Sequence, residues 1–424
     1  MPWIPLLAMQ SGGDPVAPVV LHLTILLTGT MLGGFVATRL KQPAVLGELL
    51  FGIVAINLGM PGAAAMRDSH EIDLLARIGV LLLLFEVGLE STVRQMLKVG
   101  LSALLVATIG VALPFALGWW VSSLLLPSDP GGFTALFLGA TLTATSVGIT
   151  ARVLQELGAL NRAESRVILG AAVIDDVLGL VILAVVSALI AAAGSGQTLA
   201  IGPVLGIIAK ALGFLVGALV IGVWATPRLF RWAALLRQPS TLLTLGMSLC
   251  FVLAWAADAA GLAPIVGAFA AGLILEDVHS APFRQRGERG LEELVRPVSS
   301  LLVPVFFVQM GLKTDLSSLA STEAMGLGGA LIAAAVLGKQ ACALGVLQSQ
   351  GPVDRLTVGL GMIPRGEVGL IFAGVGMSLH FGGQPVVGPT AYAAVVMMIV
   401  ATTVVTPPLL QWRMSKLPPL PASP

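Results

Sequence analysis

Thirteen stretches of this chain are almost wholly apolar, and polar residues return only in short clusters between them. The stretches cover residues 16–40, 44–59, 74–88, 99–126, 132–151, 166–193, 199–224, 240–257, 262–275, 298–311, 324–347, 356–379 and 390–412. At a rise of about 1.5 Å per residue, about twenty such residues cross a hydrocarbon layer about 30 Å thick. The pattern predicts an all-α polytopic membrane protein with about thirteen transmembrane helices. Several stretches are shorter than that length, and the ends of the second, eighth, ninth and tenth are the least sharply defined.

Two stretches are interrupted. Residues 132–151 contain TLTATSVGIT, where Thr141, Thr143, Thr145, Ser146, Gly148 and Thr150 weaken a helix and offer hydroxyls and free carbonyls at depth. Residues 356–379 contain GLGMIPRGEVG, where Gly359, Gly361, Pro364, Gly366 and Gly369 surround Arg365 and Glu367. Small and hydroxylated residues also serve close helix packing, so either segment alone has a purely structural reading. With the seventh stretch taken as a linker, however, the two occupy matching places in two six-helix halves. An odd linker gives those halves opposite orientations, the arrangement of an inverted repeat with a central site at two discontinuous crossing helices.

Composition agrees with the pattern. With 56% hydrophobic residues, 11% charged residues and a mean hydropathy of +0.96, the chain is excluded from the water-soluble class. Charge placement adds orientation. With the amino terminus outside, seventeen of the 23 Lys and Arg residues fall in loops on the cytoplasmic side. Only Arg67, Arg77 and Lys313 fall opposite, and Lys210, Lys339 and Arg365 lie inside stretches. The asymmetry follows the positive-inside rule and puts the carboxyl terminus in the cytoplasm. The expected location is the cytoplasmic (inner) membrane.

The net charge of +1, with no basic run, gives no reason to expect a nucleic-acid partner. Cys250 and Cys342 fall in apolar segments and read as small hydrophobes, and the four histidines show no ligand spacing. The first fifteen residues lack a positive n-region and are not expected to be a removed signal peptide. The short polar end after residue 412 suggests no soluble regulatory domain. No cofactor and no enzymatic reaction are expected.

The chemistry is concentrated in AAVIDDVLGL, residues 171–180. Asp175 and Asp176 lie about 14 Å from the charged end at Arg166, near mid-membrane. Each carboxylate there costs about 2.5–3.5 kcal/mol on insertion scales, so the pair calls for cations, protons or a basic partner. Lys339, in AVLGKQACALGV, lies at matching depth, and a buried ammonium prefers a carboxylate beside it. Pairing with one aspartate is the expected resting state. Lys210 reads as a snorkelling or structural lysine. Glu48 and Glu86 suit capping, interfacial solvation or the lining of a vestibule. Arg365 and Glu367, two apart at a break, can neutralise the half-helix ends and each other.

Together, ATLTATSVGITARVLQELGAL, ESRVILGAAVIDDVLGLVILA, LGKQ and MIPRGEVGLIF resemble the second family of bacterial monovalent cation:proton antiporters, in particular its NapA-like sodium/proton members. The resemblance spans nearly the whole chain. It implies a homodimer and an elevator-like alternating access. Scaffold and dimerisation helices would occupy residues 16–90 (helices 1–3) and 240–311 (helices 8–10), and 199–224 would be the linker. A mobile core would use residues 99–193 (helices 4–6) and 324–412 (helices 11–13). Asp176 matches the principal cation-binding carboxylate, Asp175 the aspartate paired with Lys339, Thr145 and Ser146 the crossover positions, and Glu367 the glutamate of the second broken helix. Arg365 has a supporting place. Potassium-efflux relatives carry a nucleotide-binding domain and a different residue before the aspartate, and this chain departs from them on both counts.

The residues support the same chemistry independently. A small hard cation exchanges hydration oxygens for protein oxygens, and adjacent carboxylates, hydroxyls and unwound carbonyls supply them. The same carboxylates can hold protons instead, so cation and proton compete for one place. The sequence therefore predicts a secondary transporter exchanging sodium or lithium for protons, with potassium as the alternative cation. A sodium-coupled solute symporter or a cation channel remains as a reading from another class.

Overall fold

The computed structural model describes residues 16–89, 93–126, 130–195, 201–234, 241–275, 290–314, 321–347 and 353–418. The loop charges Arg237, Arg284, Arg286 and Arg289, and the side chains of Arg94 and Glu367, lie outside the described residues. Every long apolar stretch coincides with a helix or a broken pair of helices. They are α1 (Val16–Arg39), α2 (Ala44–Asn57), α3 (Ala63–Asp68), α4 (His70–Leu89), α5 (Val93–Leu125), α6 (Phe133–Thr141), α7 (Val147–Glu156) and α8 (Ala163–Ser195). The chain continues through α9 (Ile201–Ala234), α10 (Thr241–Ala259), α11 (Pro264–Ile274), α12 (Leu291–Leu312), α13 (Thr322–Ala341), α14 (Arg355–Gly361), α15 (Glu367–Ser378) and α16 (Pro389–Met414).

Among the described residues, seven helices are long and apolar enough to cross a membrane. This is a multi-pass helical membrane protein. Several helices outrun their apolar stretch: α12 begins seven residues before residue 298, in LEELVRP. Hydrophobicity marks only the lipid-facing length, whereas backbone hydrogen bonding carries a helix on into the polar boundary. The apolar pattern did not signal α3, nor the hairpin β1 (His380–Phe381) and β2 (Gln384–Pro385). The hairpin turns on Gly382 and Gly383, both at positive φ, a backbone that glycine alone adopts cheaply.

The described residues group into two packing units, one drawn from 1–79 with 301–315 and the other from 80–300 with 316–424. In the first, α1 and α2 pack closely because glycines face each other. A Cβ on Gly47 would stand 1.9 Å from the carbonyl oxygen of Gly33. Small residues let backbones approach where lipid gives no hydrophobic drive to pack.

The second unit holds all the candidate chemistry except Glu48. Here α5 packs on α6, α8 and α13, and α13 packs on α16. Phe137, Leu138, Val186, Ile190, Leu331, Ala335, Val395 and Met398 make one buried cluster among α6, α8, α13 and α16. At the expected cytoplasmic end of this unit, Asp354 accepts from the backbone N–H of Thr357 at 2.8 Å and so caps α14. The same carboxylate holds Arg413 of α16 through bonds of 2.5 and 2.9 Å. Glu164 of α8 accepts from the Asp354 backbone N–H at 3.2 Å and pairs with Arg162 at 3.4 Å.

The Arg413 guanidinium holds the Asp354 carboxyl down at about 2, from an ordinary 3.8. Because the folded-state value is the lower one, this stabilisation is present above about pH 4 and is lost as pH falls from about 4 towards 2. Asp354→Asn is therefore expected to lower the melting temperature at pH 7 and to flatten the acid limb of the stability profile. Thermal melting of the purified protein between pH 7 and pH 3 measures both effects. Parent and variant curves of equal height and shape would show that the pair contributes nothing.

Candidate functional site

The first break runs from Leu142 to Ser146, between α6 and α7, and the second from Met362 to Gly366, between α14 and α15. Pro364 creates the second break. It has no N–H to give the carbonyl of Leu360, and the preceding turn tightens so that the Ile363 N–H reaches that oxygen at 3.2 Å. In the first, Thr143 turns its hydroxyl back on the carbonyl of Ala140 at 2.7 Å, competing with helix continuation.

The two breaks meet. The Ser146 backbone N–H donates to the carbonyl of Pro364 at 2.8 Å. The Thr150 hydroxyl donates to the carbonyl of Gly361 at 2.6 Å, and the Thr145 hydroxyl lies 3.5 Å from that of Met362. The Ser146 hydroxyl is buried and has no hydrogen-bond partner among the described residues.

Arg365 is fully buried, and its guanidinium donates to the carbonyl of Leu142 at 2.7 Å and reaches that of Met362 at 3.5 Å. These carbonyls end α6 and α14, the negative ends of two half-helices. One cation thus serves both. Glu367 is the first residue of α15, at that helix's positive end.

Beside the crossing, α8 carries Asp175 and Asp176, 0% and 6% exposed. The Lys339 ammonium lies 3.0 and 3.1 Å from the two carboxylate oxygens of Asp175, with both side chains wholly buried. Arg365 also lies within electrostatic reach of Asp175. The ammonium is placed by its neighbours: Gly110 of α5 leaves it room, and Gly338 lies against Pro114 of α5. Pro114 sits inside α5, where a proline commonly kinks a helix.

The structure thus joins Lys339 to Asp175, and Thr145, Ser146 and Arg365 to the crossing. Lys210 is exposed on α9. Glu86 is buried, accepting from Ser299 at 2.5 Å and from Gln155 of α7 at 3.2 Å. Nothing in the spacing of the sequence paired Glu86 with Ser299 or Asp354 with Arg413, because such partners lie dozens to hundreds of residues apart.

Residues 23–412 match the family model described as sodium/hydrogen exchanger, transmembrane. The chain belongs to that family. It is 37% identical to the high-affinity Na+/H+ antiporter NhaS3 of Synechocystis sp., over 93% of this chain and 89% of the relative. It is 32% identical to the Na+/H+-K+ antiporter GerN of Bacillus cereus, over 92% of this chain and 95% of that one. The fold is similar to that of the sodium proton antiporter MjNhaP1 of Methanocaldococcus jannaschii, at a TM-score of 0.64 and 18% identity, covering 94% of this chain and 97% of the other. In this exchanger the basic residue opposite Asp175 lies against α5 at Gly110, and its neighbour Gly338 lies against Pro114.

That contact can be tested at Gly338, where a Cβ would stand 2.8–2.9 Å from Pro114, including its backbone. Gly338→Ala must push α13 from α5 and should cost about 1–3 kcal/mol, as overpacking does. A melting temperature several degrees below the parent's is the expected result, whereas an unchanged one would mean that α5 yields freely and does not fix Lys339.

Proposed function

We propose that this protein exchanges sodium, or lithium, for protons across the cytoplasmic membrane, and that Asp176 is the carboxylate that trades one for the other. The observation that carries this reading is a wholly buried Lys339–Asp175 pair with a second buried aspartate beside it, next to two crossing helix breaks. Buried like charges call for cations, protons or both, and a site that accepts either in one place performs obligatory exchange. The names of NhaS3 and GerN support sodium as the substrate. GerN's name also supports a second reading, potassium/proton exchange, because site geometry decides between the two ions.

In this reading the chain has about thirteen spans, with two inverted six-helix halves whose discontinuous helices are α6–α7 and α14–α15. The amino terminus is outside and the carboxyl terminus cytoplasmic. Residues 99–193 and 324–412 form a mobile core, residues 16–90 and 240–311 form the scaffold through which two copies associate, and 199–224 link the halves. The core carries the site across in an elevator motion. Thr145, Ser146 and Glu367 complete the cation's surroundings, and Arg365 supports the crossing.

The cycle follows from the charges. The cation displaces Lys339 from Asp175, and the ammonium, left without a partner, gives its proton up. The loaded core then holds two carboxylates and one cation. On return, Asp176 is protonated and Asp175 again faces charged Lys339. One proton on Asp176 and one on Lys339 thus cross for each cation, and one net charge moves. The membrane potential drives such a step by about 2.3 kcal/mol per 100 mV.

Asp176→Asn should abolish exchange in vesicles while leaving the protein folded and inserted, since the amide keeps the shape but can trade no proton. A variant that still exchanges sodium for protons at normal protein content would defeat the assignment. Lys339→Gln should leave slow, electroneutral exchange or none, read in proteoliposomes with the potential clamped by potassium and valinomycin. Retention of the parent's response to potential would make Lys339 structural.

A further inference from the structure

The last helix carries three buried threonines, Thr402, Thr403 and Thr406, ahead of the unusual pair Pro407–Pro408. Two of them do what threonines in membrane helices commonly do, and fold back on their own helix. Thr402 donates to the carbonyl of Met398 at 2.8 Å, and Thr406 donates to that of Thr402 at 2.6 Å. Thr403 is different. Its hydroxyl leaves α16 and donates to the backbone carbonyl of Arg365, inside the second break.

That carbonyl stands at a sensitive place. The neighbouring Pro364 carbonyl is held by the Ser146 backbone N–H, and the Arg365 side chain holds the ends of α6 and α14. The Arg365 peptide is thus fixed from the first break on one side and from α16 on the other. Its own guanidinium lies buried within electrostatic reach of Asp175 and Lys339. A shift of this peptide would move a buried cation relative to the carboxylates.

We propose that Thr403 is a positioning residue for the exchange site: it clamps the Arg365 peptide and so sets the field at Asp175 without touching the ion. The part of this inference that concerns ion affinity rests on the exchange reading above. The clamp itself does not.

The test compares Thr403→Val, which keeps the shape and removes the donor, with Thr403→Ser, which keeps the donor, and with Thr402→Val, which loses an equivalent hydroxyl bonded only within α16. Two readouts are taken on the full-length protein. Hydrogen–deuterium exchange over residues 355–370 reports the clamp whether or not the protein transports. It should rise in Thr403→Val alone. Sodium/proton exchange in vesicles should show a half-saturating sodium concentration raised about tenfold in Thr403→Val, the worth of one buried hydrogen bond, with a displaced pH profile and a largely kept maximal rate. Thr403→Ser should restore the parent's values, and Thr402→Val should match them.

Unchanged hydrogen exchange in Thr403→Val overturns the proposal. So does a loss of maximal rate with unaltered sodium dependence, or the same defect in Thr402→Val, either of which would mark Thr403 as ordinary packing. A parent protein that exchanges no sodium would defeat the exchange reading instead, and the hydrogen-exchange comparison would still decide the clamp.

Discussion

An ammonium and a carboxylate 3.0 Å apart, neither with any exposed surface, form the interaction on which the rest of this molecule depends. Removing two charges from water costs several kcal/mol for each, and their attraction recovers this only with good geometry. If one partner is lost, the uncompensated charge costs about 3–5 kcal/mol. The pair is therefore secure while intact and demanding once broken. In the proposed cycle it opens when a monovalent cation takes the place of Lys339. In that proposed cycle Asp176 keeps the loaded site from being neutral and gives protons a role in the return.

The crossing supplies what a pair of side chains cannot. Continuous helices offer this depth side chains alone, as α8 does with Asp175 and Asp176 and α13 with Lys339. The breaks bring backbone dipoles there instead, and they do so in opposing sense. Arg365 neutralises the negative ends of α6 and α14 at once, from a single guanidinium. Such an arrangement is rigid because each carbonyl it uses belongs to a different chain segment. The Ser146–Pro364 backbone bond and the Thr150–Gly361 bond tie those segments directly.

Much of this was legible in the sequence, for identifiable reasons. Apolar stretches long enough to cross a bilayer marked the helices, since lipid permits few alternatives. Both interruptions were visible because Pro364, the glycines and the clustered threonines violate helix propensity. Asp175, Asp176 and Lys339 stood out because charge at mid-membrane has no cheap structural reason. What could not be read were the partners. Thr403 looks like its neighbours Thr402 and Thr406 in sequence, and only the packing of α16 on the second break sets it apart. Asp354 caps α14 and holds Arg413 from 59 residues away, a pairing that no spacing in the sequence signals. Helix ends were also misplaced where polar residues continue a helix beyond the membrane, as in α12. Long-range pairing and interfacial helix length are set by tertiary contacts, which hydrophobic periodicity does not encode.

The central claim is that cation and protons compete for one buried place, and proton release on binding tests it most directly. Sodium chloride is added to purified protein in weak buffer near neutral pH, with choline chloride as control, and the protons released are counted against the sodium bound. Competition at Asp176 together with displacement of Lys339 predicts release of roughly two protons per sodium, falling as the starting pH is raised and the carriers empty. Release of one would remove Lys339 from the proton carriers. Sodium binding that releases none would contradict the account.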